Sequence, residues 1–96
     1  MRLIITRHAK ADLNAIAYYT TLQWGKDQAM TYLDELYHGI ETVYKNPETG
    51  NARYGVPKVI KGYACGKHII FFRIKDKTLY ILRILHQRLD HGKYVE

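Results

Sequence analysis

The side chains best suited to chemistry lie close together near the end of the chain, in the stretch RILHQRLD at positions 83–90. His86 could transfer a proton, because imidazole groups titrate near neutral pH. Arg83 and Arg88 could bind a carboxylate or a phosphate through their planar guanidinium groups. His86 also follows an apolar run typical of a buried strand. We therefore predict a structural histidine that ties the C-terminal tail to the sheet, with proton transfer as the alternative.

The sequence predicts no metal and no cofactor. His86 and His91 are five residues apart, which is a poor fit to one helical face, and no further ligand cluster stands near them. Cys65 is the only cysteine, so a cysteine-based zinc cluster is excluded and a small buried side chain is expected. Gly62 and Gly66 lie in strand-like sequence without a following helix, unlike the glycines of a phosphate-binding loop.

The charge of the chain is unevenly distributed. Residues 1–48 carry five Lys and Arg against six Asp and Glu, a net charge of −1, whereas residues 49–96 carry ten against three, a net charge of +7. A basic region of this kind attracts acidic partners. We therefore expect the second half to face a nucleic acid, an acidic protein tail, or both.

The length of 96 residues is enough for one hydrophobic core, so residues 1–96 are predicted to form a single domain. The apolar stretch at positions 3–5 is too short for a signal-peptide core or a membrane span. We expect a cytoplasmic protein without a membrane partner.

Two helices are predicted in the first half of the chain. The first follows a short strand at 3–5, is capped by Thr6 and covers residues 7–24, and Gly25 is expected to close it in the left-handed conformation. The second ends before Pro47, because proline pushes the preceding residue out of the helical region. Apolar residues at helical spacing predict their buried faces: Ala9, Leu13, Ile16, Ala17, Thr20 and Trp24, then Ala29, Tyr32, Leu33, Leu36, Ile40, Val43 and Tyr44.

Three strands are predicted in the second half, after a loop at 47–57. The first covers residues 58–65 with an interruption at Gly62, and two longer strands cover residues 68–74 and 78–86. Short turns between consecutive strands require antiparallel pairing, and the helical hairpin needs a sheet face to cover. The predicted fold is α+β, with an N-terminal strand, an α-helical hairpin and a three-stranded antiparallel sheet.

The two faces of the sheet depend on the turn at 75–77. A three-residue loop would pair Ile74 with Thr78, so that Ile70, Phe72, Tyr80, Leu82 and Ile84 face the helices. A loop one residue shorter or longer would turn one strand over relative to the other, so that its side chains would exchange faces. The uncovered face would be an apolar binding surface with two embedded arginines; it carries Ile69, Phe71, Arg73, Leu79, Ile81, Arg83 and Leu85.

Six short motifs follow one another along the chain in an order and spacing that resemble the ParE branch of the RelE/ParE toxin superfamily of type II toxin–antitoxin systems. The likeness covers nearly the full length. The motifs are ADL at 11–13, YYTTLQWG at 18–25, Gln28-Ala29 with Tyr32, NPETG at 46–50, HIIFFRI at 68–74 and ILRILHQRLD at 81–90.

The resemblance implies a RelE/ParE-like fold and a toxin that poisons DNA gyrase without being an enzyme. It also implies neutralisation by a ParD-like antitoxin, whose acidic tail would be attracted to the basic second half. It implies protein partners, and no direct sequence-specific nucleic-acid binding is expected. The predicted partner-binding residues are Lys58, Lys61, Arg73, Arg83, His86 and Arg88.

Two alternatives remain open at this point. A RelE-like toxin would cut messenger RNA on the ribosome, and its catalytic residues here would be Arg73, His86, Arg88 and Tyr94. We favour the gyrase poison because Lys58 and Lys61 are scattered and Asp90 would oppose an anionic phosphate near Arg88. The second alternative is an inactive relative that only binds an antitoxin in a DNA-binding repressor complex.

Overall fold

A four-stranded mixed sheet carries a helical hairpin on one face. The structure, a computed structural model, describes residues 1–52 and 54–95. The α+β class is confirmed. The elements are β1 (Arg2–Ile5), α1 (Arg7–Trp24), α2 (Lys26–Lys45), a 3₁₀ helix (Pro47–Thr49), β2 (Lys61–Cys65), β3 (His68–Lys75), β4 (Thr78–His86) and a second 3₁₀ helix (His91–Lys93).

The sheet has one strand more than predicted, because β1 joins it. The strand order is β1-β4-β3-β2, with β1 parallel to β4 and the other pairs antiparallel. The register of β1 runs from Arg2 opposite Thr78 to Ile5 opposite Ile81. Pairing with β4 satisfies backbone groups of β1 that would otherwise lack partners.

The helical hairpin begins and ends where the sequence predicts. The Thr6 side chain accepts a hydrogen bond of 3.2 Å from the Ala9 backbone N–H and so caps α1. Gly25 has φ 93° and ψ 167°, a region open essentially to glycine but different from the predicted left-handed helical one. The prediction of Trp24 as core is wrong: its side chain is 69% exposed, because α1 continues one turn beyond its last buried residue, Thr20.

The buried face of α2 agrees with the prediction. The buried residues are Ala29, Leu36, Ile40 and Val43, and the other three predicted positions, Tyr32, Leu33 and Tyr44, are partly buried. Gly39 allows close approach to the sheet, since a Cβ there would lie 2.8 Å from the Cys65 sulfur. This side of the sheet contributes Ile70, Phe72, Leu79, Ile81 and Ile84 to the main core. Within the described residues, neither helix is long and apolar enough to span a membrane.

The predicted register between β3 and β4 is wrong at the turn. Asp76 and Lys77 form a two-residue turn with φ of 51° and 59°, so Lys75 pairs with Thr78 and Ile74 with Leu79. A turn one residue shorter moves Leu79 and Ile81 to the helix side and Tyr80 to the opposite face. We call this opposite face the far face of the sheet.

A bulge in β4 restores part of the predicted pattern. Phe72 pairs with Ile81 and Phe71 with Arg83, which leaves Leu82 as the extra residue. Beyond the bulge Ile84 faces the helices, as predicted. The shift also makes His86 the partner of His68, at the start of β3.

The first predicted strand of the second half is shorter than expected, since β2 begins at Lys61 and residues 58–60 lie outside it. Gly62 does not interrupt the strand. It pairs with Phe71 on one side and exchanges two backbone hydrogen bonds with Asn51 on the other, at 2.7 and 2.8 Å. A Cβ at position 62 would lie 2.6 Å from the Tyr54 ring, so glycine lets the preceding loop cross this edge.

The far face is not bare, which corrects the predicted binding surface. A second apolar cluster joins this face to the loop before β2 and to the C-terminal tail. Val95 and Ile60, which supply the outer layer, are 3% and 0% exposed, because they pack against the strand residues. The buried members are Ile60, Ile69, Phe71, Leu85 and Val95, with Tyr54, Val56 and Leu82 packed against them.

Candidate functional site

A shallow cavity of about 250 Å³ lies between α1 and the C-terminal end of β4, and we call it the tail groove. It collects two of the six predicted partner-binding residues, Arg83 and His86, and also Tyr94 from the alternative nuclease set. Its lining consists of Asp12, Ala15, Ile16, His68, Arg83, Ile84, Leu85, His86, Leu89 and Tyr94.

Arg83 binds α1 and does not lie on a bare face, contrary to the prediction. Its Nε and Nη2 donate to the two carboxylate oxygens of Asp12 at 2.8 and 2.9 Å. The Ile84 N–H donates to the same carboxylate at 2.9 Å, at a point beyond the end of β1. The hydrogen bond to Asp12 raises the pKa of Arg83. Asp12 therefore fastens α1 to β4, and the β4 bulge explains why strand alternation misplaced Arg83.

Arg83 also reaches the tail. Its Nη1 donates to the Tyr94 carbonyl oxygen at 3.3 Å, and its guanidinium carbon lies 5.9 Å from the centre of the Tyr94 ring. The tail wall of the groove is thus held by the same arginine that holds the helix wall. The groove has a defined shape because both of its walls depend on this side chain.

His68 forms part of the groove, and the sequence analysis did not select it. Its Nδ1 lies 2.6 Å from the Tyr32 hydroxyl, which also accepts the Lys67 N–H at 3.0 Å. The pKa of His68 is lowered to about 4, mainly by burial of the ring and to a smaller extent by the neighbouring His86. His68 is therefore neutral at pH 7, and its Nδ1 shares a hydrogen bond with the Tyr32 hydroxyl. The β4 bulge, which sequence alternation does not show, places His68 against His86.

His86 makes the contacts of a structural histidine. Its Nδ1 accepts the Arg88 N–H at 3.1 Å, and its carbonyl oxygen is 3.0 Å from His91 Nε2. Its ring lies edge to face with His68 at 5.5 Å between centres. These bonds hold the first residues of the tail to the end of β4, in agreement with the predicted role.

The other predicted site residues are dispersed. Lys58 and Lys61 are exposed, the first in the loop before β2 and the second on the strand, and Arg88 is exposed after β4. Arg73 pairs with Tyr80 on β4. Tyr80 precedes His86 by six residues, so these two positions of β4 are roughly 20 Å apart.

Arg73 therefore lies far from the groove residues His86 and Tyr94, and the alternative catalytic set does not form one site. Among the described residues, no three His, Cys, Asp or Glu side chains come together as metal ligands.

An exposed apolar stripe on α1 continues from the groove and was also missed. Ala11, Ala15, Tyr18 and Leu22 follow one helical face, and the last two are 70% and 65% exposed. Ala15 belongs to both surfaces. The signal in the sequence was a second apolar row on α1, beside the row that covers the sheet.

Comparisons with known proteins agree with this architecture. The family described as the ParE toxin of the type II toxin–antitoxin system parDE matches residues 3–91. Toxin ParE1 of Mycobacterium tuberculosis is 36% identical over 90 residues, 93% of this chain and 92% of the relative. Toxin ParE1 of Caulobacter vibrioides is 34% identical over 86 residues, 90% of this chain and 88% of the relative.

A solved structure of the chromosomal ParDE system from P. aeruginosa superposes with a TM-score of 0.80 at 25% identity, and the match covers 90% of this chain and 95% of that one. The resemblance read from the sequence motifs is confirmed. This chain belongs to the ParE toxin family of type II toxin–antitoxin systems.

Proposed function

We propose that this chain is a cytoplasmic, single-domain toxin that poisons DNA gyrase by binding it and is neutralised by a ParD-like antitoxin. Membership of the ParE family supports the choice of target and antitoxin. The main structural support for a binding function is the exposed apolar stripe of α1, which continues into the tail groove.

The stripe and the groove fit an amphipathic antitoxin segment. Tyr18 and Leu22 are mostly exposed and lie one helical turn apart. Apolar side chains on one face of a docked helix can cover a pair with this spacing. The net charge of +7 in residues 49–96 favours an acidic segment. Electrostatic attraction of this kind raises the association rate more than the affinity.

The contacts of the groove support a role without catalysis. One ring nitrogen of each histidine is already hydrogen-bonded, His68 Nδ1 to the Tyr32 hydroxyl and His86 Nδ1 to the Arg88 N–H, so a general base here would have to act through Nε2. Arg83, the arginine that lines the groove, is already paired with Asp12. The same groups that could move protons or bind a phosphate are thus used to hold the fold.

The test is a pair of assays on the purified full-length chain. We expect it to stop gyrase supercoiling and to cause cleaved DNA to accumulate, whereas ribosome-bound messenger RNA stays intact. An unaffected gyrase together with cleaved message would reject the proposal in favour of the nuclease.

Expression without antitoxin separates a toxin from an inactive relative. We expect growth to stop, and co-expression of a ParD-like antitoxin encoded beside the toxin gene should restore it. Normal growth with soluble, folded protein would support the inactive relative and contradict the proposal.

A further inference from the structure

The half of the far face that the second apolar cluster leaves uncovered carries three cations. Cross-strand partners share a face of a sheet. One row runs from Arg2 through Thr78 to Lys75, and the next runs from Ile4 through Tyr80 to Arg73. We call this surface the cationic strip, and its members are Arg2, Ile4, Arg73, Lys75, Thr78 and Tyr80.

The strip belongs to the far face because its rows alternate with residues of the main core. Ile74 and Leu79 separate the two rows, and Phe72 with Ile81 comes next on the helix side. The loop and tail pack on Phe71 and the positions beyond it, on the other side of the β4 bulge. The loop and tail do not cover the strip: Arg2 and Lys75 are exposed at its two sides, Arg73 is half-buried, and the small Thr78 between them is buried.

The cations of the strip form no ion pair within the described part of the chain. The ion pairs found there join Lys45 to Glu41 and Arg83 to Asp12. The Nε of Arg73 is buried and makes no hydrogen bond to a described residue. A buried donor without an acceptor is costly, and a bound anion is one explanation for retaining it.

The charges are close enough to act together. Arg73 and Lys75 are two residues apart on β3, roughly 7 Å along the strand, and Arg2 and Lys75 flank β4 at roughly 10 Å between Cα atoms. The adjacent turn adds no net charge, because Asp76 is followed by Lys77. Three cations within this span can contact neighbouring phosphates of one nucleic-acid strand.

We propose that the cationic strip binds the phosphate backbone of double-stranded DNA. An acidic protein helix is a poorer occupant, because it needs exposed apolar anchors, and the apolar members of the strip, Ile4 and Tyr80, are already half-buried. Phosphate contacts carry no sequence information, so this binding is sequence-independent.

The strip lies on the sheet face opposite the helical hairpin, whose α1 carries the proposed antitoxin surface, so the two surfaces are separate. A gyrase poison with such a surface would contact the DNA that gyrase holds, which adds a second attachment to the complex.

The experiment measures binding of the full chain to a labelled DNA duplex by fluorescence anisotropy, without gyrase. Three phosphate contacts predict a dissociation constant of about 10⁻⁴ to 10⁻⁶ M and a slope of log K against log salt of about −2.7. The double variant Arg73→Gln with Lys75→Gln should reduce the slope to about −1. The control Lys10→Gln with Lys26→Gln removes the same charge from exposed positions of the hairpin and should leave the slope unchanged.

A single variant protects the test against misfolding. Lys75 is exposed, so Lys75→Gln should keep the wild-type melting temperature and still lose about one unit of slope. Equal weakening by the strip and hairpin variants would overturn the proposal, since the binding would then follow total charge. No binding at about 50 mM salt, or equal competition by a polyglutamate peptide, would also overturn it. None of these results depends on gyrase inhibition, which can persist without the strip.

Discussion

The two faces of the sheet are closed in different ways. On one face, α1 and α2 cover a core that includes Leu36 and Phe72, both fully buried. On the far face, an irregular loop and the tail supply Ile60 and Val95 against Phe71. The helix side is thus built from regular elements, whereas the far side is closed only in part. Regular elements therefore define the fold, whereas the irregular closure determines which surface stays free for a partner.

A cavity made on each face tests whether the two layers differ in rigidity. Phe72→Ala should cost about 4 kcal/mol of unfolding free energy, because the helices above it cannot collapse freely. Phe71→Ala should cost about 3 kcal/mol, near the lower end of the range, since the loop and tail can relax into the space. Urea unfolding at equilibrium measures both. A larger loss for Phe71→Ala would show that the far-side layer is the more rigid one.

The link between α1 and β4 gives the next largest effect. Asp12→Ala removes three hydrogen bonds and leaves Arg83 unpaired in a partly buried place, so we expect a loss of about 2–3 kcal/mol. The control is Glu41→Gln, which removes the exposed pair with Lys45 and should cost about 0.3 kcal/mol. Similar losses in the two variants would contradict the role given to Asp12.

The pH dependence of stability tests His68. The unfolded chain protonates this side chain near pH 6.5, whereas burial lowers its pKa to about 4 in the fold. The unfolded state therefore binds more protons between these values, and stability falls as the pH drops through this window. After allowance for solvent screening of a half-buried ring, the loss is about 1–2 kcal/mol. His68→Gln should remove this part of the pH dependence, which urea unfolding at several pH values measures. If the unfolding free energy of the variant fell between pH 7 and 4 as steeply as that of the wild type, the assignment would be contradicted.

The smallest effect is expected at the hairpin turn. Trp24 is mostly exposed, so Trp24→Ala should change the unfolding free energy by no more than about 0.5 kcal/mol. The melting temperature would measure this. A loss comparable to that of a core residue would restore the sequence-based assignment of Trp24 to the core.

The sequence predicted what depends on regular spacing and missed what depends on single insertions. The α2 stripe and the stop at Pro47 follow from local rules and are confirmed. A turn shorter by one residue moved Leu79 and Ile81 to the helix side, and the β4 bulge sent Arg83 to Asp12. Neither change leaves a periodic signal, because each alters the pairing between strands while the apolar run itself stays the same.

The candidate site was predictable only in part, for a related reason. RILHQRLD correctly pointed to the end of β4, since a histidine and two arginines after an apolar run are visible in the sequence. The other side of the groove depends on α1 and on His68, which tertiary packing brings to the same place. The far-side layer was missed because residues 54–60 pack without any period.

The affinity of a ParD-like antitoxin for variants of the α1 stripe tests the central claim most directly. Tyr18→Ala with Leu22→Ala should weaken binding about 100-fold, because two exposed anchors lose their buried contact area. The matched control is Met30→Ala with Tyr37→Ala, which removes an exposed apolar pair from one face of α2 and should leave the affinity within about threefold. Isothermal titration calorimetry with wild-type-like folded variants measures both. Unchanged binding by the α1 variant, or an equal loss in the α2 control, would contradict the assignment of the stripe and tail groove as the antitoxin surface.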